Sequence, residues 1–228
     1  MAFDYSIMHL KRLFFCLLLL GPAYCGRAQQ DAYTFVFLTK NANADKISQT
    51  LLDSLMKGHM ANINRLAAEG KLIAAGPFDG GGGIFILRTA STDQAKDWLS
   101  TDPGIRARRW EVTLHPYKPL IGSVCAVKEP YEMVSYAFVR FDMVVTKFTA
   151  QSYPDILRRH EEFVKKLATT GNVVTYGILG EHDTGILVMK GEVQREVIEA
   201  DPGIQEGLFE VQYKTLWIAK GSFCEPKE

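Results

Sequence analysis

The chain has 228 residues, with 26 Lys and Arg balanced by 26 Asp and Glu; 47% of residues are hydrophobic and 23% are charged. Those proportions exclude low-complexity disorder and collagen-like or coiled-coil rods, and they describe an ordinary globular protein. A net charge of zero also lacks the cation excess that neutralises phosphates, so no nucleic acid is expected as a partner.

The first segment reads as an address. His9, Lys11 and Arg12 precede an apolar run over 13–20, which Gly21 and Pro22 close and the small residues Gly26 and Ala28 follow. That order is a signal peptide over residues 1–28, cleaved near Gln29, and it implies a secreted or periplasmic protein. Cys25 could be a lipidation site, but Tyr24 is bulky where such a site wants a small residue. The run is less than half of the roughly 20 apolar residues a membrane helix needs, so no span is expected in the mature chain.

Residues 33–38, β-branched and aromatic, predict a strand. Leu52, Leu55, Met56, His59, Ile63 and Leu66 recur at threes and fours, which predicts a helix stopped by Gly70. Two short strands, 71–75 and 84–88, flank a glycine-rich hairpin connection over 76–83. A helix over 92–100 stops at Asp102-Pro103-Gly104, and Trp110, Val112 and Leu114 alternate with polar residues in a last strand. The order is β-α-β-β-α-β, the split βαβ of ferredoxin-like folds.

The same order then recurs. Tyr33-Thr-Phe-Val matches Tyr136-Ala-Phe-Val, His59 matches His160, Asp102-Pro-Gly-Ile matches Asp201-Pro-Gly-Ile, and Gly122-Ser-Val-Cys125 matches Gly221-Ser-Phe-Cys224. The offset narrows only from 103 residues at Tyr33 to 99 at Cys125, so the chain reads as a tandem duplication of domain-sized units. We place the first at 29–119, a linker at 120–133 and the second at 134–228. Strand residues are apolar on both faces: Tyr33, Phe35 and Phe37 on one, Val36 and Leu38 on the other. Helices cover one face, so something must cover the second. The expected fold is therefore α+β: two ferredoxin-like domains packed sheet to sheet as a pseudo-dimer within one chain, an intramolecular dimeric α+β barrel.

Without the leader two cysteines remain, Cys125 and Cys224, in a compartment where disulfides form. They occupy equivalent positions, which can bond to each other only near a twofold axis, so they are either one bridge or two free thiols. His59 and His160 interrupt apolar helical stripes in the same register. Each is either a hydrogen-bonded core histidine or an acid–base group. Asp102 and Asp201 open sound turn sequences, yet in the proposed fold each can also reach the histidine of the neighbouring helix. A carboxylate on one imidazole nitrogen fixes the tautomer and leaves the other nitrogen for a substrate proton.

His59, Gly70-Lys-Leu-Ile-Ala-Ala-Gly76-Pro77, Ala95-Lys-Asp-Trp98-Leu-Ser-Thr-Asp102-Pro103 and His115-Pro116-Tyr117 together resemble the YCII-related family of dimeric α+β barrels. The resemblance covers copy one and, more loosely, copy two. It implies a fold like that of muconolactone isomerases and a His–Asp active site, here His59 with Asp102 and His160 with Asp201. One branch of that family dehydrochlorinates a hydroxylated aromatic ring. Copy two departs at Ile178 and Val197, which replace Pro77 and Trp98, and both copies carry Gly104 or Gly203 where family members commonly have an aromatic.

Other signals point to less. Gly80–Gly83 lacks the Lys-Ser/Thr and helix start of a phosphate cradle, and Glu181-His182-Asp183 are neighbours that do not converge on one ion. Glu111, Thr113 and His115, with Glu210, Gln212 and Lys214, give each last strand a polar face that lines an inter-sheet cavity or meets solvent. The expected activity is proton transfer in an isomerisation or elimination on a small-molecule substrate, with no cofactor or metal. The alternative is a non-catalytic secreted binding or structural module of the same fold.

Overall fold

A computed structural model describes residues 32–145, 147–180 and 184–224. The leader over 1–28, with Cys25 and the cleavage position at Gln29, and the run Glu181-His182-Asp183 lie outside the described residues. The first half runs β1 (Tyr33–Lys40), α1 (Gln49–Ala68), β2 (Leu72–Pro77), β3 (Gly83–Leu87), α2 (Thr92–Leu99), α3 (Pro103–Arg106) and β4 (Trp110–Ile121). After the two-residue β5 (Ser123–Val124), the second half runs β6 (Met133–Met143), α4 (Tyr153–Ala168), β7 (Val173–Leu179), β8 (Thr184–Met189), α5 (Arg195–Glu199), α6 (Pro202–Gln205) and β9 (Phe209–Ala219), and β10 (Phe223–Cys224) follows.

The Asp-Pro-Gly sequences, read as turns, begin one-turn helices. Asp102 caps α3, its side chain accepting from the N–H groups of Gly104 and Ile105, and Asp201 caps α6 from Gly203. Proline at the first helical position has no N–H to leave unpaired, so the capping carboxylate and the proline act together.

Sheet-to-sheet closure into an α+β barrel does not form. All the long strands belong to one open eight-stranded sheet in the order β2-β3-β1-β4-β7-β8-β6-β9. The halves are joined edge to edge: β4 pairs antiparallel with β7, from Tyr117 opposite Leu179 to Ile121 opposite Tyr176. Among the described residues the outermost strands β2 and β9 share no ladder; just past the end of β2 there is an isolated bridge between Phe78 and Leu216 and a hydrogen bond from Asp79 N to Thr215 O (3.0 Å). Pro77, which ends β2, has no N–H with which to extend that pairing.

The bare face is nonetheless covered by the other half. The sheet bends until Phe35, Phe37 and Ile86 share a core with Phe138, Ile186 and Leu216, and the Phe138 ring lies 5.0 Å from Phe78 and 6.2 Å from Phe35. On the opposite face each half has its own core. Val36, Leu38 and Phe85 pack under α1 and α2, while Val139, Phe141 and Leu187 pack under α4 and α5. Burying each such side chain contributes about 1.5–3 kcal/mol.

Cys125 and Cys224, 99 residues apart, form a disulfide with Cα atoms 5.7 Å apart beside the β5–β10 pair. No helix among the described residues is long and apolar enough to cross a membrane.

Candidate active site

Two histidines come from the long helices and two aspartates from the caps of the one-turn helices. In the first half His59 Nδ1 bonds Asp102 Oδ2 at 2.8 Å, and Asn62 Nδ2 donates to the same oxygen at 3.2 Å. The other oxygen, Oδ1, accepts from Gly104 N at 2.9 Å and Ile105 N at 3.1 Å. Asp102 is fully buried. Burial pushes its carboxyl pKa up, but the hydrogen bond and charge of His59, the Ile105 N–H and the Asn62 amide outweigh it and hold the pKa below the ordinary aspartate value. The carboxylate is thus ionised at neutral pH, which assigns the Nδ1 proton to His59.

The ring of His59 is clamped between aromatic neighbours. It stacks on Phe85 with centroids 5.8 Å apart and packs, tilted, against Trp110 at 4.5 Å. Its Nε2 has no hydrogen-bond partner among the described residues, and the side chain keeps 11% of its surface exposed. Asn62 is itself fixed, since its Oδ1 accepts from Arg65 Nη2 at 2.9 Å and Thr101 Oγ1 at 2.8 Å.

The second half repeats the geometry and closes it. His160 Nδ1 bonds Asp201 Oδ2 at 2.5 Å, and Gly203 N donates to Asp201 Oδ1 at 2.7 Å. His160 Nε2 bonds the hydroxyl of Tyr176 at 2.9 Å, and only 1% of the histidine side chain is exposed. Burial, then the charges of Glu161 and Asp201, raise the Tyr176 pKa well above the ordinary phenol value, so the hydroxyl keeps its proton. Phe141 and Phe209 pack on the ring at 5.1 and 4.7 Å.

All four predicted dyad residues are therefore brought together in pairs. Trp110, Phe209, Asn62 and Tyr176 are the parts the sequence reading passed over. The signal for the first two is the aromatic that opens the last strand of each copy. It is linked to the glycine after Asp-Pro: a Cβ on Gly104 would lie 2.4 Å from the Trp110 ring, and one on Gly203 2.7 Å from that of Phe209. In both halves the space beside that glycine is taken by the aromatic of the last strand.

The polar residues of the last strands lie on the shared-core face. Gln212 and Lys214 line a small cleft with Phe37 and Arg140, and a cleft of about 780 Å³ lies beyond it, bordered by Lys214 and Tyr213. Neither cleft is lined by His59 or His160. No group of three or more metal-ligating side chains occurs among the described residues.

Residues 34–114 match the YCII-related domain. The matched segment runs from β1 into β4 and contains His59 and Asp102. No curated protein matches the chain. Among solved structures, a protein provisionally assigned as a monooxygenase from Fusobacterium nucleatum subsp. nucleatum is similar at 9% identity and TM-score 0.47, over 87% of this chain and 99% of that one. A protein provisionally assigned as a chlorite dismutase is similar at 10% identity and TM-score 0.50, over 84% of this chain and 96% of that one. At that identity the second likeness bears on the fold and on nothing chemical.

Proposed function

We propose that the first half is an acid–base site in which His59, oriented by Asp102, moves a proton to or from a small cyclic substrate in an isomerisation or elimination. One observation carries this reading: the Nδ1 side of His59 is locked by an ionised, buried carboxylate while Nε2 faces no protein partner. A base needs that polarity, and positioned proton transfer contributes about 10²–10⁴-fold to rate. His160, bonded on both nitrogens, serves structure. The chain is, in this reading, a duplication of YCII-like units over 29–119 and 134–228, exported after loss of residues 1–28; the internal repeats and the matching element order of the halves support it.

The test is a turnover screen of hydroxylated and halogenated cyclic compounds. His59→Ala and Asp102→Asn, both folded by circular dichroism, are expected to lose about 10²–10⁴-fold, and His160→Ala to retain activity if it folds. Equal activity in wild type and His59→Ala would refute the assignment. The non-catalytic binding module stays as the second reading because neither main cleft reaches the dyad. A wild type without turnover that binds a ligand through those clefts would favour it.

A further inference from the structure

The shared core ends in a different chemistry from either dyad. Where β1, β6 and β9 run out beside the hairpin after β2, a cleft of about 100 Å³ is walled by Phe37, Phe78 and Phe138 and edged by Arg140, Gln212 and Lys214. The Arg140 guanidinium lies 4.5 Å over the Phe37 ring, and Lys214 Nζ lies 5.1 Å from the centroid of Phe78. Both cations thus lie against aromatic faces, Arg140 partly buried and Lys214 exposed to water.

The hydrogen bonds leave this cleft with donors to spare. Arg140 Nε donates to Asp142 Oδ1 at 2.8 Å, and Gln212 Nε2 donates to Asp142 Oδ2 at 3.0 Å. Asp142 therefore balances one cation. The Nη groups of Arg140 have no acceptor among the described residues, and Lys214 has no carboxylate within ion-pair distance there. The neighbouring acids do not fill the gap: Glu210 is tied to Lys147 at 2.8 Å, and Glu111 lies on β4 opposite Thr39. Behind Phe37, edge-on at 6.0 Å, is His115, whose Nε2 is buried with no hydrogen-bond partner. Burial first, and then the Arg140 charge, lower the His115 pKa, so this ring is neutral and adds no cation of its own at pH 7.

The two halves contribute unlike parts. Arg140 stands where the first half has Phe37, and Lys214 where it has His115, so the cations come from one half and most of the aromatic wall from the other. We propose that this cleft is a binding site for a small planar carboxylate, its ring seated among Phe37, Phe78 and Phe138 and its carboxylate held by Arg140 and Lys214. An unpaired guanidinium edge beside an ammonium suits a carboxylate, which accepts two parallel N–H bonds. Phe37 and Phe78 each stand edge-on to Phe138, and an aromatic wall of this kind suits a flat apolar body. The larger cleft on the other side of Lys214 is a poorer fit, because the acids Asp79 and Glu192 line it together with Arg195 and Lys214.

Benzoate is the probe, titrated into the full mature protein by calorimetry and by NMR, with benzamide as the neutral shape match. Saturable benzoate binding is expected, with benzamide at least about tenfold weaker, the loss of one charge-assisted contact. Lys214→Met, a change at an exposed side chain, is expected to weaken benzoate by about tenfold, and Arg140→Gln by more. His59→Ala is expected to leave benzoate affinity unchanged, which separates this site from the dyad. The proposal is overturned by an absence of saturable benzoate binding, by equal affinity for benzoate and benzamide, by unchanged affinity in Lys214→Met, or by loss of binding in His59→Ala.

Discussion

The two His–Asp pairs share a skeleton and differ in what surrounds it. Both histidines sit on the long helix of their half, both aspartates cap a one-turn helix, and both rings pack on an aromatic from the last strand. The difference lies one strand away. Tyr176 on β7 fills the space at His160 Nε2, while the equivalent position on β2 is Ala75, which leaves His59 Nε2 unoccupied. Asn62 adds a second donor to Asp102, whereas its counterpart Phe163 cannot donate to Asp201. The same pair thus leaves one ring nitrogen free in the first half and has both bonded in the second, which under the proposed function separates an acid–base group from a structural tie.

This contrast can be broken or sharpened by substitution. The largest effect on stability belongs to a change that treats both halves alike. Replacing Cys125 and Cys224 by Ser opens a closure of 99 residues, and chemical denaturation is expected to register a loss of up to about 4.7 kcal/mol. Next, His160→Ala strands both Asp201 and the Tyr176 hydroxyl in the interior and is expected to cost about 3–5 kcal/mol. His59→Ala leaves Asp102 with the Asn62 amide and two backbone donors, and the expected cost is about 1–3 kcal/mol. Equal losses would break the comparison.

Tyr176→Phe removes only the hydroxyl and is expected to cost about 1–2 kcal/mol in the same assay. The smallest effect is on pH dependence. Since the folded pKa of Asp102 is lowered from its usual 3.8, its stabilisation is present above that pH and is lost as pH falls through the lower folded value. The stability gap between wild type and Asp102→Asn is expected to narrow as the pH is taken from about 5 to about 2, measured by urea melts at each pH.

Much of this was legible in the residues. The β-α-β-β-α-β order within each half follows from apolar spacing and helix-stop signals, and each histidine lies beside the aspartate that the side-by-side helices and the family resemblance paired with it. The joining of the halves did not follow, for a physical reason. Side-chain patterns show that a strand face is buried, whereas edge pairing such as β4 with β7 uses backbone N–H and C=O groups that every residue carries. The covered apolar face was thus foreseen, while the single open sheet was not. Tyr176 escaped notice because in a strand it reads as one more β-forming aromatic, and its contact with His160 Nε2 depends on a register fixed only by the fold.

Carbethoxylation by diethyl pyrocarbonate, followed by peptide mass mapping of the native protein, tests the difference between the dyads most directly. The reagent attacks an unprotonated imidazole nitrogen that solvent can reach. His59 is expected to react at least about tenfold faster than His160, with His160 protected until the protein unfolds. Equal rates, or a faster His160, would contradict the account.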